Sequence, residues 1–135
     1  MRKSLLPLLL IIIIFSFVTC QASEEEKIHQ VLNRRGEALQ KKDLSLYLSC
    51  ISETYQDKEE DLSRLQKRVD GYFKSFEQIE YSNWDRSIHI EGMTARAVQQ
   101  FHLEVKRGGQ NKHYSGTEAL FLKKERGEWK IVKGL

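Results

Sequence analysis

Residues 95–105 read ARAVQQFHLEV, and apolar and polar side chains alternate along this stretch. A period of two is typical of a β-strand that packs one face against a core. The turn dipeptides Glu91-Gly92 and Gly108-Gly109 bound the stretch, so it is predicted to be shared by two consecutive hairpins. Gln99 is polar in an otherwise apolar row. Such a side chain either meets a buried partner or points into a cavity.

Strand signals continue on both sides of this stretch. Residues 79–91 predict a long strand. Tyr81 is out of phase with the later apolar set of Trp84, Ile88 and Ile90, which indicates a β-bulge near Asn83. The turn Arg126-Gly127 separates the two remaining strands, predicted at residues 114–124 and 129–132.

Apolar residues with helical spacing lie before the predicted strands in the sequence. A first helix is predicted over residues 23–42, with Ser23 as its N-terminal cap. Asp43 is predicted to cap a short second helix, and Asp57, with Glu60 three residues later, to cap a third. Three helices followed by hairpin-linked strands predict an α+β fold, in which helices pack on one face of an antiparallel sheet.

The first 22 residues have a different composition. Arg2 and Lys3 precede an apolar run at residues 5–18, and a polar stretch follows. These are the three parts of a secretory signal peptide, and the run is shorter than the roughly 20 residues that a membrane-spanning helix needs. The sequence therefore predicts a signal peptide at residues 1–22 and one domain at residues 23–135, with an uncleaved membrane anchor as the alternative.

The end of the leader can be interpreted in two ways. Residues 17–20 read FVTC, which resembles the motif that precedes lipidation of a bacterial lipoprotein at its cysteine. Lipidation of Cys20 would make this a membrane-anchored lipoprotein of the cell envelope or periplasm. Cleavage after Ala22 would instead release a secreted protein. Both interpretations place the domain outside the cytoplasm.

Charge and cysteine usage exclude several classes of function. The chain has 135 residues, 30% of them charged, and a net charge of +3, part of which lies in the leader. A nearly neutral domain lacks the concentrated positive face that nucleic-acid binding needs. Cys50 lies in a helical pattern and is expected to be a small buried hydrophobe, because no local motif supplies a histidine to activate it.

No metal or cofactor is expected from the spacing of potential ligands. Zinc sites are typically marked by pairs such as His-x-x-x-His or Cys-x-x-Cys, and the sequence contains neither. The histidines are therefore interpreted as surface or strand residues; they are His29, His89, His102 and His113.

The order of these elements resembles the nuclear transport factor 2-like superfamily, which includes SnoaL-like and ketosteroid-isomerase-like proteins. The resemblance rests on residues 37–39 (EAL), 43–44 (DL), 55–57 (YQD) and the hairpin at residues 120–131 (LFLKKERGEWKI). It implies a cone, in which a strongly curved antiparallel sheet of about four to six strands wraps around three helices and leaves a cavity at the open end. Members of this superfamily often dimerise, and they include enzymes, binding proteins and scaffolds.

The resemblance also implies positions for a catalytic site. Isomerases of this group use a carboxylate base, a tyrosine and a protonated aspartic acid. Asp57 falls where the base would lie, Arg35 occupies the place of the tyrosine, and Thr117 and Ala119 are nearest to the place of the second acid. The set is incomplete, so activity of this kind is not expected. Arg35 could instead be an exposed helix residue, pair with Asp57, or hold an anionic ligand.

The expected function is therefore a non-enzymatic extracytoplasmic binding or scaffold domain. It would hold a small apolar or weakly anionic ligand, or a protein partner, at the cone mouth. The residues expected to line that mouth are Arg35, Tyr55, Asp57, Trp84 and Gln99. The alternatives are a small isomerase, dehydratase or cyclase with Asp57 as general base, and a structural module that forms a homodimer through its sheet.

Overall fold

The computed structural model describes residues 22–135, so residues 1–21 of the predicted signal peptide, with Cys20 among them, lie outside the described residues. The side-chain oxygen of Ser23 accepts a hydrogen bond from the backbone N–H of Glu26 (3.1 Å). The carboxylate of Asp43 accepts one from the backbone N–H of Leu46 (2.9 Å). Both predicted caps are thus confirmed. The helices are α1 (Glu24–Lys41), α2 (Leu44–Ser49) and α3 (Leu62–Ser75). Among the described residues, none of these helices is long and apolar enough to cross a membrane.

The predicted start of α3 is wrong by four residues. Its cap is Asp61, whose carboxylate accepts from the backbone N–H of Arg64 at 2.9 Å. Asp57 and Glu60 instead face each other in a small hairpin of strands β1 (Gln56–Asp57) and β2 (Glu60–Asp61). Asp61 offers the same capping chemistry as Asp57, and the turn between the two short strands prevents the helix from starting earlier.

The four long strands form one antiparallel sheet in which each strand pairs with the next. The strands are β3 (Gln78–Glu91), β4 (Thr94–Arg107), β5 (Gln110–Glu125) and β6 (Glu128–Lys133). The helices pack against the inner face of this curved sheet. The predicted α+β architecture, with three helices and four to six strands, is confirmed.

The bulge in β3 lies slightly beyond its predicted position at Asn83. Trp84 pairs with Gln100 and Ser87 with Val98, so Asp85 and Arg86 both stand opposite Gln99. Asp85 has a positive φ of 52°, as a bulge residue can. Because the bulge follows Trp84, this residue stays on the outer face, 47% exposed, and Arg86 turns inward. The expected common phase of Trp84 with Ile88 and Ile90 is therefore wrong.

Close contact between α1 and β3 fixes the distance between the helices and the sheet. A Cβ atom added to Gly36 of α1 would lie 3.1 Å from Cδ1 of Tyr81 in β3. Gly36 thus allows the helix backbone to approach the tyrosine ring directly. Gly71 of α3 provides a contrast, since an added Cβ would meet nothing within 4 Å.

We expect Gly36→Val to destabilise the protein by about 1–3 kcal/mol, because its branched side chain has to displace Tyr81 or α1. Gly71→Ala is the matched control. It should stabilise the protein by about 0.5–1 kcal/mol, since alanine is the better helix former and the space is open. Denaturant unfolding measures both effects, and equal stability of Gly36→Val and wild type would contradict the close packing.

Candidate functional site

A cavity of about 420 Å³ lies between the helices and the inner face of the sheet. Tyr72 and Tyr114 are about half exposed and lie at its open side. Three lining residues are charged, Arg35, Arg68 and Glu118, and the hydroxyl of Tyr81 is hydrogen-bonded to Arg35 and Glu118. The rest of the lining is apolar or aromatic: Leu39, Tyr47, Val69, Tyr72, Phe73, Phe76, Ile79, Phe101, Leu103, Val105, Tyr114 and Leu135. Apolar walls with few polar groups are typical of small-molecule sites.

An ion pair between α1 and β5 forms the polar part of the wall. Two guanidinium nitrogens of Arg35 donate to the two carboxylate oxygens of Glu118, at 3.0 and 3.2 Å. The side chains are only 9% and 13% exposed. This planar, bidentate geometry is the strong form of an arginine–carboxylate pair. The Nε atom of Arg35 is buried without a hydrogen-bond partner among residues 22–135.

Tyr81 and Gln99 complete the hydrogen bonding of Glu118. The hydroxyl of Tyr81 donates to Glu118 and accepts from Arg35 at 3.3 Å. The side-chain amide of Gln99, fully buried in β4, donates to the Tyr81 hydroxyl (2.9 Å) and to Glu118 (2.6 Å). The polar residue in the apolar row of β4 thus meets buried partners that themselves line a cavity.

Arg86 supports this network from the bulge. Its Nε donates to the carbonyl oxygen of the Gln99 side chain at 2.6 Å, which orients the amide toward Glu118. Its other nitrogens contact Asn83 at 2.8 Å and Nδ1 of His29 on α1 at 3.0 Å. The bulge therefore connects β3, β4 and α1 behind the cavity wall.

The environment sets the protonation of the two acidic groups. Burial alone would raise the pKa of Glu118, but the charge of Arg35 and the hydrogen bonds from Arg35, Tyr81 and Gln99 outweigh it and lower the pKa. Burial, with the nearby Glu118 carboxylate, raises the pKa of Tyr81 to about 12. At neutral pH the site therefore holds an ionised carboxylate and a protonated phenol.

The structure brings together two of the five residues expected at the mouth. Arg35 lines the cavity, and Gln99 lies directly behind it in the same network. The Tyr55 ring is buried elsewhere, with its hydroxyl 3.2 Å from the backbone nitrogen of Leu135, and Trp84 is on the outer face. Neither Tyr55 nor Trp84 lines the cavity.

Asp57 also lies outside the cavity and away from Arg35. Its carboxylate accepts a hydrogen bond from the backbone N–H of Gly134 at 3.1 Å. It lines a separate, open groove between the β1–β2 hairpin and α3. Its role in the described structure is to anchor the C-terminal segment to the hairpin.

Glu118 is the central residue that the sequence interpretation missed. The resemblance points to Thr117 and Ala119 on this strand, yet their side chains lie on the other face of the sheet. The signal was the phase of β5: Leu120 and Leu122 are buried, so Glu118, two residues before Leu120, belongs to the same inward row. The ion pair with Arg35 could not be found this way, because the two residues are 83 positions apart.

We expect Glu118→Gln to destabilise the protein by about 3–5 kcal/mol, because it leaves the buried charge of Arg35 without a counter-charge. Glu60→Gln is the matched control. Glu60 also forms a bidentate pair, with Arg68 at 2.7 and 2.8 Å, but that pair is more exposed and should contribute less than about 1 kcal/mol. Denaturant unfolding near neutral pH distinguishes the two.

The pH dependence gives a second readout of the same substitution. The pKa of Glu118 is lower in the folded than in the unfolded state. Its stabilising contribution is thus complete above the unfolded value of about 4.3 and is lost as the pH falls through the folded pKa. The stability difference between wild type and Glu118→Gln should narrow below about pH 4. A constant difference would show that the charge is not responsible.

Comparisons with known proteins agree with this architecture. No curated protein matches the chain at a significant level. A protein of the nuclear transport factor 2-like superfamily from Salmonella enterica superposes with a TM-score of 0.73 at 21% identity, covering 82% of this chain and 87% of that one. A conserved protein from Planctomyces limnophilus gives 0.74 at 19% identity, with 82% and 91% covered.

A third solved structure, a candidate dehydratase of the nuclear transport factor 2-like family from Streptomyces avermitilis, gives a TM-score of 0.69 at 10% identity, with 82% and 92% covered. At these identities the likeness shows the fold alone. The model of the SnoaL-like domain matches residues 27–134, which is nearly the whole of the described chain. The chain therefore belongs to the family of SnoaL-like domains, and it shares its fold with solved structures of the nuclear transport factor 2-like superfamily.

Proposed function

We propose that this protein is an extracytoplasmic binding protein that holds a small, mostly apolar molecule in the cavity between its helices and its sheet. The observation that carries the proposal is the cavity itself, which has a volume of about 420 Å³ and aromatic and aliphatic walls. On one side it has a polar cluster formed by Arg35, Tyr81 and Glu118. This volume lies within the range of small-molecule sites. An open cavity also disfavours a purely structural dimerisation module, whose cone would be filled by side chains.

The charges of the wall favour a neutral ligand over an anionic one. Arg35 is neutralised by Glu118, and Arg68 by Glu60, so neither cation is free to attract an anion. The Glu118 carboxylate lines the cavity and accepts hydrogen bonds. A ligand with an apolar ring system and one hydroxyl or N–H donor would match both the walls and the polar cluster.

The electrostatics of the site argue for binding rather than for proton abstraction. A general base works best with a pKa near the operating pH. Glu118 has its pKa lowered by Arg35 and is held by donors from three side chains, so it is a weak base. The alternative base, Asp57, lies outside the cavity. Neither of these two carboxylates therefore supports the alternative of an enzyme with a general base in the cavity.

We expect a neutral aromatic probe with one donor, such as N-phenylnaphthylamine, to bind the purified protein with an increase in fluorescence. Leu103→Trp fills part of the cavity and should weaken binding by about tenfold or more, which is about 1.4 kcal/mol for each factor of ten. Trp84→Ala is the control, because Trp84 lies on the outer face and its loss should leave the affinity unchanged.

Val69→Phe on α3 is a second blocking variant, which tests the same cavity if Leu103→Trp fails to fold. Circular dichroism checks the folding of both variants. Equal affinity of the probe for wild type and for a folded blocking variant would contradict binding in this cavity. Asp57→Asn should retain the affinity of wild type, since Asp57 lines a different groove.

The cellular location is part of the same proposal. A positively charged start, an apolar run and the FVTC segment at residues 17–20 support export and lipidation at Cys20. A lipid on Cys20 would anchor the domain to a membrane through a short polar segment that begins at Gln21. The domain would then take its ligand from the extracytoplasmic side.

We expect the full chain, expressed in a bacterium, to incorporate an alkyne-labelled fatty acid and to fractionate with membranes. Cys20→Ser should lose the label. Cys50→Ala is the matched control and should keep it, because Cys50 is fully buried in the domain. An unlabelled wild-type protein that begins at Ser23, read by mass spectrometry, would overturn lipidation in favour of secretion.

A further inference from the structure

We propose that the outer face of the sheet carries a binding site for a divalent transition-metal ion, formed by His102, Glu104 and His113. The face is opposite to the one that lines the cavity, so this site is separate from the proposed ligand site. Each of the three side chains offers one ligand atom, and these atoms lie within 4.8 Å of one another.

The pairing of β4 with β5 brings the three ligands together. Glu104 and His113 are direct cross-strand partners, and His102 lies two residues before Glu104 on the same face. Nδ1 of His113 lies 3.3 Å from a carboxylate oxygen of Glu104. The two imidazole rings stack with centroids 5.7 Å apart and planes inclined by 30°. Small side-chain rotations would therefore converge the three groups on one ion.

The neighbouring strand position supports the orientation of His102. Ser115 is the cross-strand partner of His102, and its oxygen lies 2.8 Å from Nδ1 of the imidazole. This contact occupies Nδ1 and leaves Nε2 available as a ligand. Metal-binding histidines commonly use one ring nitrogen for the metal while the other is held by a hydrogen bond.

The donor set selects the class of metal. Two imidazoles with one carboxylate are ligands of Zn²⁺, and such three-residue sites leave a fourth position open for water. Imidazole nitrogen also suits Cu²⁺ and Ni²⁺, whereas Mg²⁺ and Ca²⁺ prefer oxygen donors alone. Zn²⁺ is therefore the first metal to test, with Co²⁺ as its spectroscopic substitute.

Local charges on this face also favour a cation. Glu80 of β3 is the cross-strand partner of Glu104, so two carboxylates stand on adjacent strands. Like charges placed directly opposite each other are unfavourable. Lys106 lies on the same face, two residues beyond Glu104, and brings one positive charge to it. A divalent ion bound by Glu104 would reduce the repulsion between the two carboxylates.

The experiment uses protein purified without a polyhistidine tag and freed of metal by a chelator. Calorimetric titration with Zn²⁺ should show about one equivalent bound. His102→Ala and His113→Ala should each weaken binding by about tenfold or more. His89→Ala is the matched control: His89 also contacts a carboxylate, Glu91 at 3.3 Å, yet it is not part of the cluster, and its loss should leave the affinity unchanged.

Titration with Co²⁺ adds a readout that a loose surface contact would not give. A site with two imidazoles should produce visible absorption bands that disappear in both cluster variants and persist in His89→Ala. All three histidines are at least partly exposed, so the variants should fold, which thermal unfolding in the absence of metal checks. Binding that is absent in wild type, or equal in wild type and in His102→Ala/His113→Ala, would overturn the proposal.

Discussion

The buried ion pair of Arg35 and Glu118 is the interaction on which the arrangement of this protein depends. Taking two charges out of water is costly, and their attraction offsets that cost only with good geometry and further hydrogen bonds. Here both carboxylate oxygens meet the guanidinium, and Tyr81 and Gln99 donate to the carboxylate as well. The pair therefore fixes α1 against β3, β4 and β5 at once, and it keeps a polar group at the wall of an apolar cavity.

The bulge in β3 follows from the same requirement. When Gln99 donates to Glu118 and Tyr81, its buried carbonyl oxygen would be costly without a donor, and Arg86 supplies that donor. Without the extra residue in β3, the side chain of Arg86 would point outward, as that of Trp84 does, and could not reach Gln99. The bulge thus places a second arginine behind the wall, where it also contacts His29 of α1 and couples the helix to the sheet at two points.

The limits of sequence reasoning follow from the range of each interaction. Ser23 and Asp43 could be identified as caps, because a cap contacts a backbone group three residues away. Gln99 could be identified as a polar residue that needs either a buried partner or a cavity, since strand periodicity is also local. Its partner Glu118 could not be identified, because the register of β5 against β4 brings the two together, and the packing of α1 across the sheet adds Arg35 to them. The grouping of His102, Glu104 and His113 could not be predicted for a related reason. The register between two strands brings these residues together, and it leaves no fixed spacing in the sequence.

Strands β4 and β5 position both proposed sites, because their side chains alternate between the inner and the outer face of the sheet. Gln99 and Glu118 are cross-strand partners directed inward, while Glu104 and His113 are partners directed outward, nearer the Gly108-Gly109 turn. Because the side-chain period of a strand is two, a one-residue slip of β5 against β4 would turn every side chain of β5 to the opposite face. Such a slip would turn His113 inward and Glu118 outward, which leaves Arg35 unpaired. The cost of an unpaired buried arginine therefore enforces the register that also assembles the outer cluster, so the network at the cavity wall specifies the geometry of both faces.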